Sequence, residues 1–211
     1  MQADQWALWC RAPIYGRPDE LRIPSTARDF LVSYGLPRVV VFEWSNSFEF
    51  AFKPLENELV PYNATIGWGD FYNETLDRAW SHQLVLGEEE FYNGHASICI
   101  HEHDGTVSRL DCELTNPECF VNSSVEQLGN SLLIAQKWSA AVHANGALPS
   151  VGSFETLASE LRRADPRAFE NEECFWPSHS FPSARYEAKA SITVLSVTWP
   201  AARTGVPEVA P

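Results

Sequence analysis

The sequence lacks any apolar run approaching the roughly 18 residues that a membrane-spanning helix needs. It is also poor in basic residues, with 15 Lys and Arg against 28 Asp and Glu and a formal net charge of −13. Because nucleic-acid binding depends on cationic contacts with phosphates, this balance disfavours a nucleic-acid partner. The acidity favours either simple solubility or contact with a basic protein. We therefore expect neither a membrane nor a nucleic acid as a partner.

Signs of secretion are missing as well. The first residues, MQADQW, contain no basic segment followed by an apolar stretch, which a signal peptide would have. The five cysteines are odd in number and show no paired spacing. We expect reduced thiols and a cytoplasmic location, in which the N-x-S/T sequences at 63, 73 and 122 are chance matches.

Motifs of common catalytic sites are also absent. The sequence has no G-x-S-x-G turn, no C-x-x-C, no H-E-x-x-H and no glycine-rich phosphate loop. A zinc-dependent enzyme remains a minor hypothesis, because Cys99, His101 and His103 alternate along a predicted strand and would share one face. Ordinary strand alternation explains the same pattern, so we predict no catalytic residue, no metal and no cofactor.

Hydrophobic periodicity predicts a helix followed by several strands. The helix begins at Thr26, which would form a cap with Asp29, and it ends at Gly35 before Pro37. The Asp-Gly dipeptide at 104–105 favours a two-residue type I′ hairpin turn between two alternating segments. The predicted strands are 39–42, 48–52, 64–67, 83–86, 97–103, 106–111 and 191–199.

Three small polar residues stand before a leucine-rich run in CFVNSSVEQLGNSLLIAQKW, residues 119–138. Ser123 with Glu126 fits the S-x-x-E capping box, and bulky neighbours exclude the strained turn of a serine nucleophile. The run predicts a helix whose apolar stripe begins at Val125, and a second helix is predicted over 154–163. This order of elements indicates an α+β fold with a mostly antiparallel sheet.

Six short segments follow one another along the chain: FLVSYGLP, ATIGWG, SICIHEHDGTV, CFVNSSVEQL, LRRADPRAF and CFW. Their order resembles that of the SUKH superfamily, which includes relatives of yeast cell-wall regulators and many bacterial immunity proteins. The chain is most similar to the bacterial subfamily usually numbered fourth. The motif positions with expected structural roles are Gly35, Pro37, Gly67, Asp104, Gly105, Asn122, Ser123, Glu126 and Trp176.

The resemblance implies a single α+β domain over 25–176, with helices packed around a curved, mostly antiparallel sheet. Residues 1–24 would form an irregular lead-in, 68–96 an insertion, and 177–211 an extension with a loose tail. The resemblance implies no catalysis. It implies an immunity protein, a monomer or weak homodimer, that neutralises a bacterial polymorphic toxin such as a nuclease or deaminase.

Acidic residues of the 68–96 segment are the predicted contacts with the toxin. Variable loops on a rigid scaffold tend to carry recognition, and acidic side chains suit a basic partner. Two alternatives remain: the run of three glutamates is an ordinary solvated face, and the fold serves as an adaptor that inhibits nothing. The predicted contact residues are Asp70, Glu74, Asp77, Glu88, Glu89 and Glu90.

Overall fold

A computed structural model describes most of the chain between residues 21 and 179. The described residues are 21–37, 39–42, 48–52, 59–65, 74–91, 94–111, 114, 117–144 and 150–179. Gly67, Asp70, most of the predicted lead-in and the strand predicted at 191–199 lie outside these ranges. The predicted domain boundaries therefore stay predictions.

In the described part of the chain, six antiparallel strands form one sheet whose spatial order follows the chain order. The strands are β1 Val39–Phe42, β2 Phe48–Phe52, β3 Gln83–Phe91, β4 Gly94–His101, β5 Val107–Leu110 and β6 Glu118–Asn122. Each strand pairs with its predecessor through a hairpin or a longer connection. The meander confirms the predicted α+β class with an antiparallel sheet.

Helices precede, interrupt and follow the strands. They are α1 Ser25–Ser33, α2 Tyr62–Thr65, α3 Glu74–Trp80, α4 Val125–Ala144, α5 Val151–Ala164, a 3-10 helix Pro166–Phe169, and α6 Phe175–His179. None of the helices in the described ranges is both long and apolar enough to pass through a membrane.

The main core lies between one face of the sheet and the helices α1, α4, α5 and α6. The apolar stripe predicted for α4 is confirmed, since Val125, Leu128 and Leu132 are fully buried. Phe175 and Trp176 of α6 are also completely buried. Burial of each large apolar side chain contributes about 1.5–3 kcal/mol, so these helices fix the sheet from one side.

A smaller core lies on the opposite face of the sheet, under α2 and α3. Tyr62 of α2 packs edge-on against Trp80 of α3, with ring centroids 5.3 Å apart. Val85, Cys99 and Leu110 reach this core from β3, β4 and β5. Because successive strand residues point to opposite faces, the central strands are buried on both sides.

The strand predicted at 64–67 is wrong for its first two residues, because Ala64 and Thr65 form the end of α2, and residues 66 and 67 lie outside the described ranges. The Ala64 N–H donates to the Pro61 carbonyl at 3.0 Å, and the Thr65 hydroxyl donates to the Tyr62 carbonyl at 2.7 Å. This single helical turn places the Tyr62 ring in the smaller core. Packing of the Tyr62 ring in the core thus outweighs the strand preference of the short sequence that follows it.

β3 extends five residues beyond its predicted end at Leu86, and it lies in the middle of the sheet. A register shift between Val85 and Gly87 marks a bulge in its pairing with β4. Only glycine fits at position 87, because the backbone of β2 lies so close that a Cβ would be 2.6 Å from the Ala51 carbonyl oxygen. The segment predicted as an insertion therefore supplies a strand that is paired on both edges.

Helix α1 begins one residue earlier than its predicted cap. The Arg28 N–H donates to the Pro24 carbonyl at 3.0 Å, so Pro24 occupies the cap position and the predicted Thr26 cap is wrong. The predicted stop at Gly35 is confirmed. Gly35 has a φ of 70° and its N–H donates to the Phe30 carbonyl at 3.3 Å.

The predicted pairing of the two strands around 104–105 is confirmed, but the predicted turn type is wrong. Gly105 has a φ of 77°, and no non-glycine residue in the described ranges has a positive φ, whereas a type I′ turn needs two. The connection is longer, because the Gly105 N–H donates to the His101 carbonyl at 3.0 Å. Asp104 Oδ1 accepts from the N–H and hydroxyl of Thr106, which closes the loop locally.

Candidate partner-binding face

One row of residues crosses the whole sheet on the face that carries α2 and α3. The residues paired in turn from β1 to β6 are Val39, Ala51, Glu88, Ser97, Leu110 and Glu118. Directly paired residues point to the same face of a sheet. Because Leu110 lies in the smaller core, all six residues point to the face that carries α2 and α3. Since neighbouring strands lie about 4.8 Å apart, this cross-strand row is about 24 Å long.

The cross-strand row is partly exposed and carries two carboxylates. Val39 at one end is 44% exposed, and Glu118 at the other end is exposed. Between them Glu88 is half-buried, whereas Leu110 is completely buried. Ser108 donates from Oγ to Glu118 Oε1 at 3.1 Å and so fixes that carboxylate beside β5. The row presents acidic groups on rigid strands, with an apolar side chain at its edge.

Two predicted contact residues lie on α3, on the same side of the sheet. Glu74 is exposed and accepts from Arg78 at 3.1 Å, one turn further along the helix. Asp77 is half-buried and accepts from the Asn63 side chain at 3.1 Å, which ties α3 to α2. Glu74 is thus open to a partner, while Asp77 also holds two helices together. Asp70 lies outside the described residues.

The run of three glutamates divides between the two faces of the sheet. Glu88 belongs to the cross-strand row, but Glu89 is only 2% exposed and accepts from Arg109 Nε within the main core. Burial raises the pKa of Glu89, against the opposing effect of the Arg109 charge. Glu89 is therefore not available at the surface, and the expectation of one shared patch is wrong for this residue. The Glu90 side chain lies outside the described residues.

A buried polar network joins β6 to α4, α5 and α6. Asn122 is fully buried, and its amide donates to Ser131 Oγ at 3.2 Å and to Asp165 Oδ2 at 3.1 Å. Its carbonyl oxygen accepts from Trp176 Nε1 at 3.2 Å. Asn122 and Trp176 come from motifs far apart in the chain, and their contact shows that these motif residues fix the packing of the helices.

Ser124, rather than Ser123, caps α4. The Gln127 N–H donates to Ser124 Oγ at 3.2 Å, and the Ser124 hydroxyl donates to Gln127 Oε1 at 3.2 Å. Ser123 lies just outside the helix and donates to Asp165 from both its N–H and its hydroxyl. The predicted box of Ser123 with Glu126 is wrong by one residue, because Ser124 and Gln127 have the same S-x-x-E/Q spacing.

Histidines and a carboxylate gather at the end of the sheet where β3 begins. Among the described residues, His82, Glu102 and His103 each bring one potential ligand atom within 4.8 Å of the others. The hydrogen bond with His82 lowers the pKa of the Glu102 carboxyl. Cys99, which the sequence grouped with two histidines, is instead buried in the smaller core. The alternative ligand set of Cys99, His101 and His103 therefore does not come together on one accessible face.

The thiol of Cys119 is unsuited to nucleophilic chemistry. Its Sγ donates to the Glu173 carbonyl at 3.0 Å, and burial raises the pKa of the thiol to about 12. A thiol with this pKa is almost entirely protonated at neutral pH, and the thiolate is the reactive form. Cys119 is therefore a packing residue beneath α6.

Comparison with known protein families identifies the family of this chain. The sequence model of the SUKH-4 immunity protein family matches residues 18–181, which include all the strands and helices described above. No curated protein and no solved structure matches the chain. The match covers most of the sequence and agrees with the motif order from which the resemblance was inferred. The chain belongs to the SUKH-4 immunity protein family.

Proposed function

We propose that this protein binds a cognate polymorphic toxin and neutralises it by covering its surface, without catalysis. The observation that carries the proposal is the cross-strand row, which places Glu88 and Glu118 on one face of a rigid sheet. The row spans about 24 Å, with exposed residues at both ends and the buried Leu110 between them, and this span suits a protein surface better than a small ligand. Glu74 of α3 lies on the same side and extends this acidic face.

The net charge supports a basic toxin as the partner, for example a nuclease or deaminase. With a formal charge of −13, the protein attracts a cationic partner over distances of about 10 Å at moderate salt. Complementary charge speeds association and disfavours partners of the same sign. Carboxylates on the row would then occupy the positions that substrate phosphates take on the toxin.

Inhibition by contact also agrees with the chemistry of the described side chains. Ser123 Oγ is committed to Asp165 Oδ1 at 2.9 Å, and the pKa of the Cys119 thiol is about 12. The Cys119 thiol is therefore not activated as a nucleophile, and the Ser123 hydroxyl joins the start of α4 to the end of α5. These observations favour a binding surface over a reaction centre.

The decisive experiment compares two charge-reversed variants with equal changes in net charge. Glu88→Lys with Glu118→Lys alters the row, whereas Glu155→Lys with Glu160→Lys alters exposed positions on α5. Each variant would be co-expressed with the product of the neighbouring gene, and growth rescue and co-purification would be measured. Association rates at low salt would be measured by stopped flow.

We expect the row variant to lose rescue and to associate at least about 10-fold more slowly, while the α5 variant keeps both properties. Equal effects of the two variants would show that only global charge matters and would contradict the assignment of the face. Co-purification without any rescue by the unaltered protein would favour an adaptor over an inhibitor.

A further inference from the structure

Three histidines and two carboxylates meet around the loop that joins β4 to β5. His82 directly precedes β3, and its carbonyl accepts from the Glu102 N–H at 2.9 Å. This backbone hydrogen bond holds the start of one strand beside the loop after another. His103 follows Glu102, so side chains from two separate parts of the chain converge at one end of the sheet.

The distances within the group are close to those that a metal ion requires. His82 Nδ1 lies 2.5 Å from Glu102 Oε1, and His103 Nε2 lies 3.3 Å from the same oxygen. The two imidazole rings have centroids 4.7 Å apart. Zinc binds nitrogen and oxygen at about 2.0–2.2 Å, so two ligand atoms on one tetrahedral ion are separated by about 3.4 Å. The His82–Glu102 separation must therefore widen by about 0.9 Å, whereas the His103–Glu102 separation already fits.

The loop that carries two of these ligands is held in place by its own hydrogen bonds. Asp104 Oδ1 accepts from the N–H and the hydroxyl of Thr106, and the Gly105 N–H donates to the His101 carbonyl at 3.0 Å. Gly105 takes the positive φ that lets the chain return into β5. These hydrogen bonds fix the backbone of the loop that carries Glu102 and His103.

The group is accessible to an ion from solution. The side chains of His82 and His103 are 48% and 66% exposed, whereas that of Glu102 is 18% exposed. The His101 ring lies on the same side, with its centroid 5.5 Å from that of His103. Imidazole nitrogens with one carboxylate form a ligand set suited to zinc, copper and nickel, and poorly suited to magnesium or calcium.

We propose that His82, Glu102 and His103 bind one divalent transition-metal ion, with Zn²⁺ as the best-fitting ion. The three side chains supply two nitrogen ligands and one oxygen ligand, and water completes the coordination. On binding through His82 Nδ1, the imidazole keeps one proton on Nε2 and stays neutral, and the ion replaces the proton between Nδ1 and Glu102; a proton leaves to solvent only from a doubly protonated ring. The site is separate from the cross-strand row, which lies further along the strands.

The test uses full-length protein without a histidine tag, treated with chelator and then titrated with Zn²⁺ alone. Calorimetry should show one ion per chain. His103→Ala should weaken binding by at least about 10-fold, and Glu102→Gln should weaken it while preserving the side-chain shape. His143→Ala, which alters a histidine of α4, is the matched control and should bind as the unaltered protein does.

Circular dichroism would confirm that each variant is folded, and the exposed His103 is the first choice because its removal disturbs no core. Binding of Co²⁺ should give absorption bands typical of nitrogen and oxygen ligands, without a thiolate charge-transfer band. Absence of stoichiometric binding, a thiolate band, or unchanged affinity in folded His103→Ala protein would overturn the proposal.

Discussion

Asp165 accepts two hydrogen bonds from Ser123, one from the backbone N–H at 2.6 Å and one from the hydroxyl at 2.9 Å. The two residues are 42 positions apart, so the pair connects the end of α5 to the start of α4. Asp165 is only 1% exposed, and its oxygens depend on protein donors in place of water.

Ser123→Ala removes the hydroxyl donor and leaves a buried carboxylate oxygen with one partner fewer. We expect the free energy of unfolding to fall by about 1–3 kcal/mol. Ser124→Ala removes only the cap of α4 and should cost about 1 kcal/mol. Urea unfolding of both variants measures the difference. A larger loss for Ser124→Ala would contradict the assignment of these two roles.

Gly87→Ala should destabilise the sheet. The new methyl group would lie 2.6 Å from the Ala51 carbonyl oxygen and 2.9 Å from Phe52 Cα, so the backbone of β2 must move. Overpacking of this kind costs about 1–3 kcal/mol. Gly152→Ala in α5 is the control, because no atom apart from the adjacent backbone of the helix lies within 4 Å of a methyl group there. Alanine at this helical position should raise the free energy of unfolding by about 0.5–1 kcal/mol. Thermal unfolding of the two variants should show opposite shifts of Tm.

Glu89 should make the stability of the protein fall as pH rises above 4.5. Burial raises the pKa of this carboxyl above its ordinary value of 4.5, so the folded protein retains a proton that the unfolded chain releases. The stabilisation is fully present below pH 4.5 and is lost as pH rises through the folded-state pKa.

The measurement is the difference in unfolding free energy between the unaltered protein and Glu89→Gln, taken at several pH values. Glutamine cannot titrate, so the unaltered protein should lose stability relative to the variant as pH rises. Glu155→Gln on exposed α5 controls for the removal of a carboxylate. A difference with the opposite slope would show that the charge of Arg109 outweighs the effect of burial.

Cys119 should resist alkylation in the folded protein. Because burial raises the pKa of its thiol to about 12, almost no thiolate forms at about pH 8.5, where an exposed cysteine is half ionised. Replacement of Cys10 and Cys112 by serine leaves three thiols, and Cys99 and Cys174 are buried. Mass spectrometry after iodoacetamide treatment should show slow labelling that becomes fast in urea. Rapid labelling of Cys119 without urea would contradict its assignment as a packing residue.

The long helices could be predicted because their apolar positions recur at helical spacing. Val125, Leu128 and Leu132 follow that spacing in the sequence, and all three are fully buried. The predicted cap of α4 was wrong because two neighbouring serines, Ser123 and Ser124, fit the same local capping pattern. Asp165 decides between them through a contact across 42 residues, which no local pattern contains.

The candidate face could be predicted only in part. The acidic sequence pattern included Glu88, which lies in the cross-strand row. It also included Glu89, but strand alternation places this side chain in the main core beside Arg109. Glu118 was missed because its position in the row depends on the register of β5 with β6, including a shift near Val107. Such a row depends on every pairing in the sheet, and the sequence specifies these pairings only through tertiary packing.

The strand order of the sheet has a consequence for synthesis of the protein. Because each strand pairs with the one before it, the sheet can assemble by successive hairpin additions as the chain leaves the ribosome. The face covered by α4 is completed only when Phe175 and Trp176 arrive and Trp176 donates to Asn122. Closure of the main core therefore depends on a pair of aromatic residues more than 50 positions after β6, the last strand in the described part of the chain.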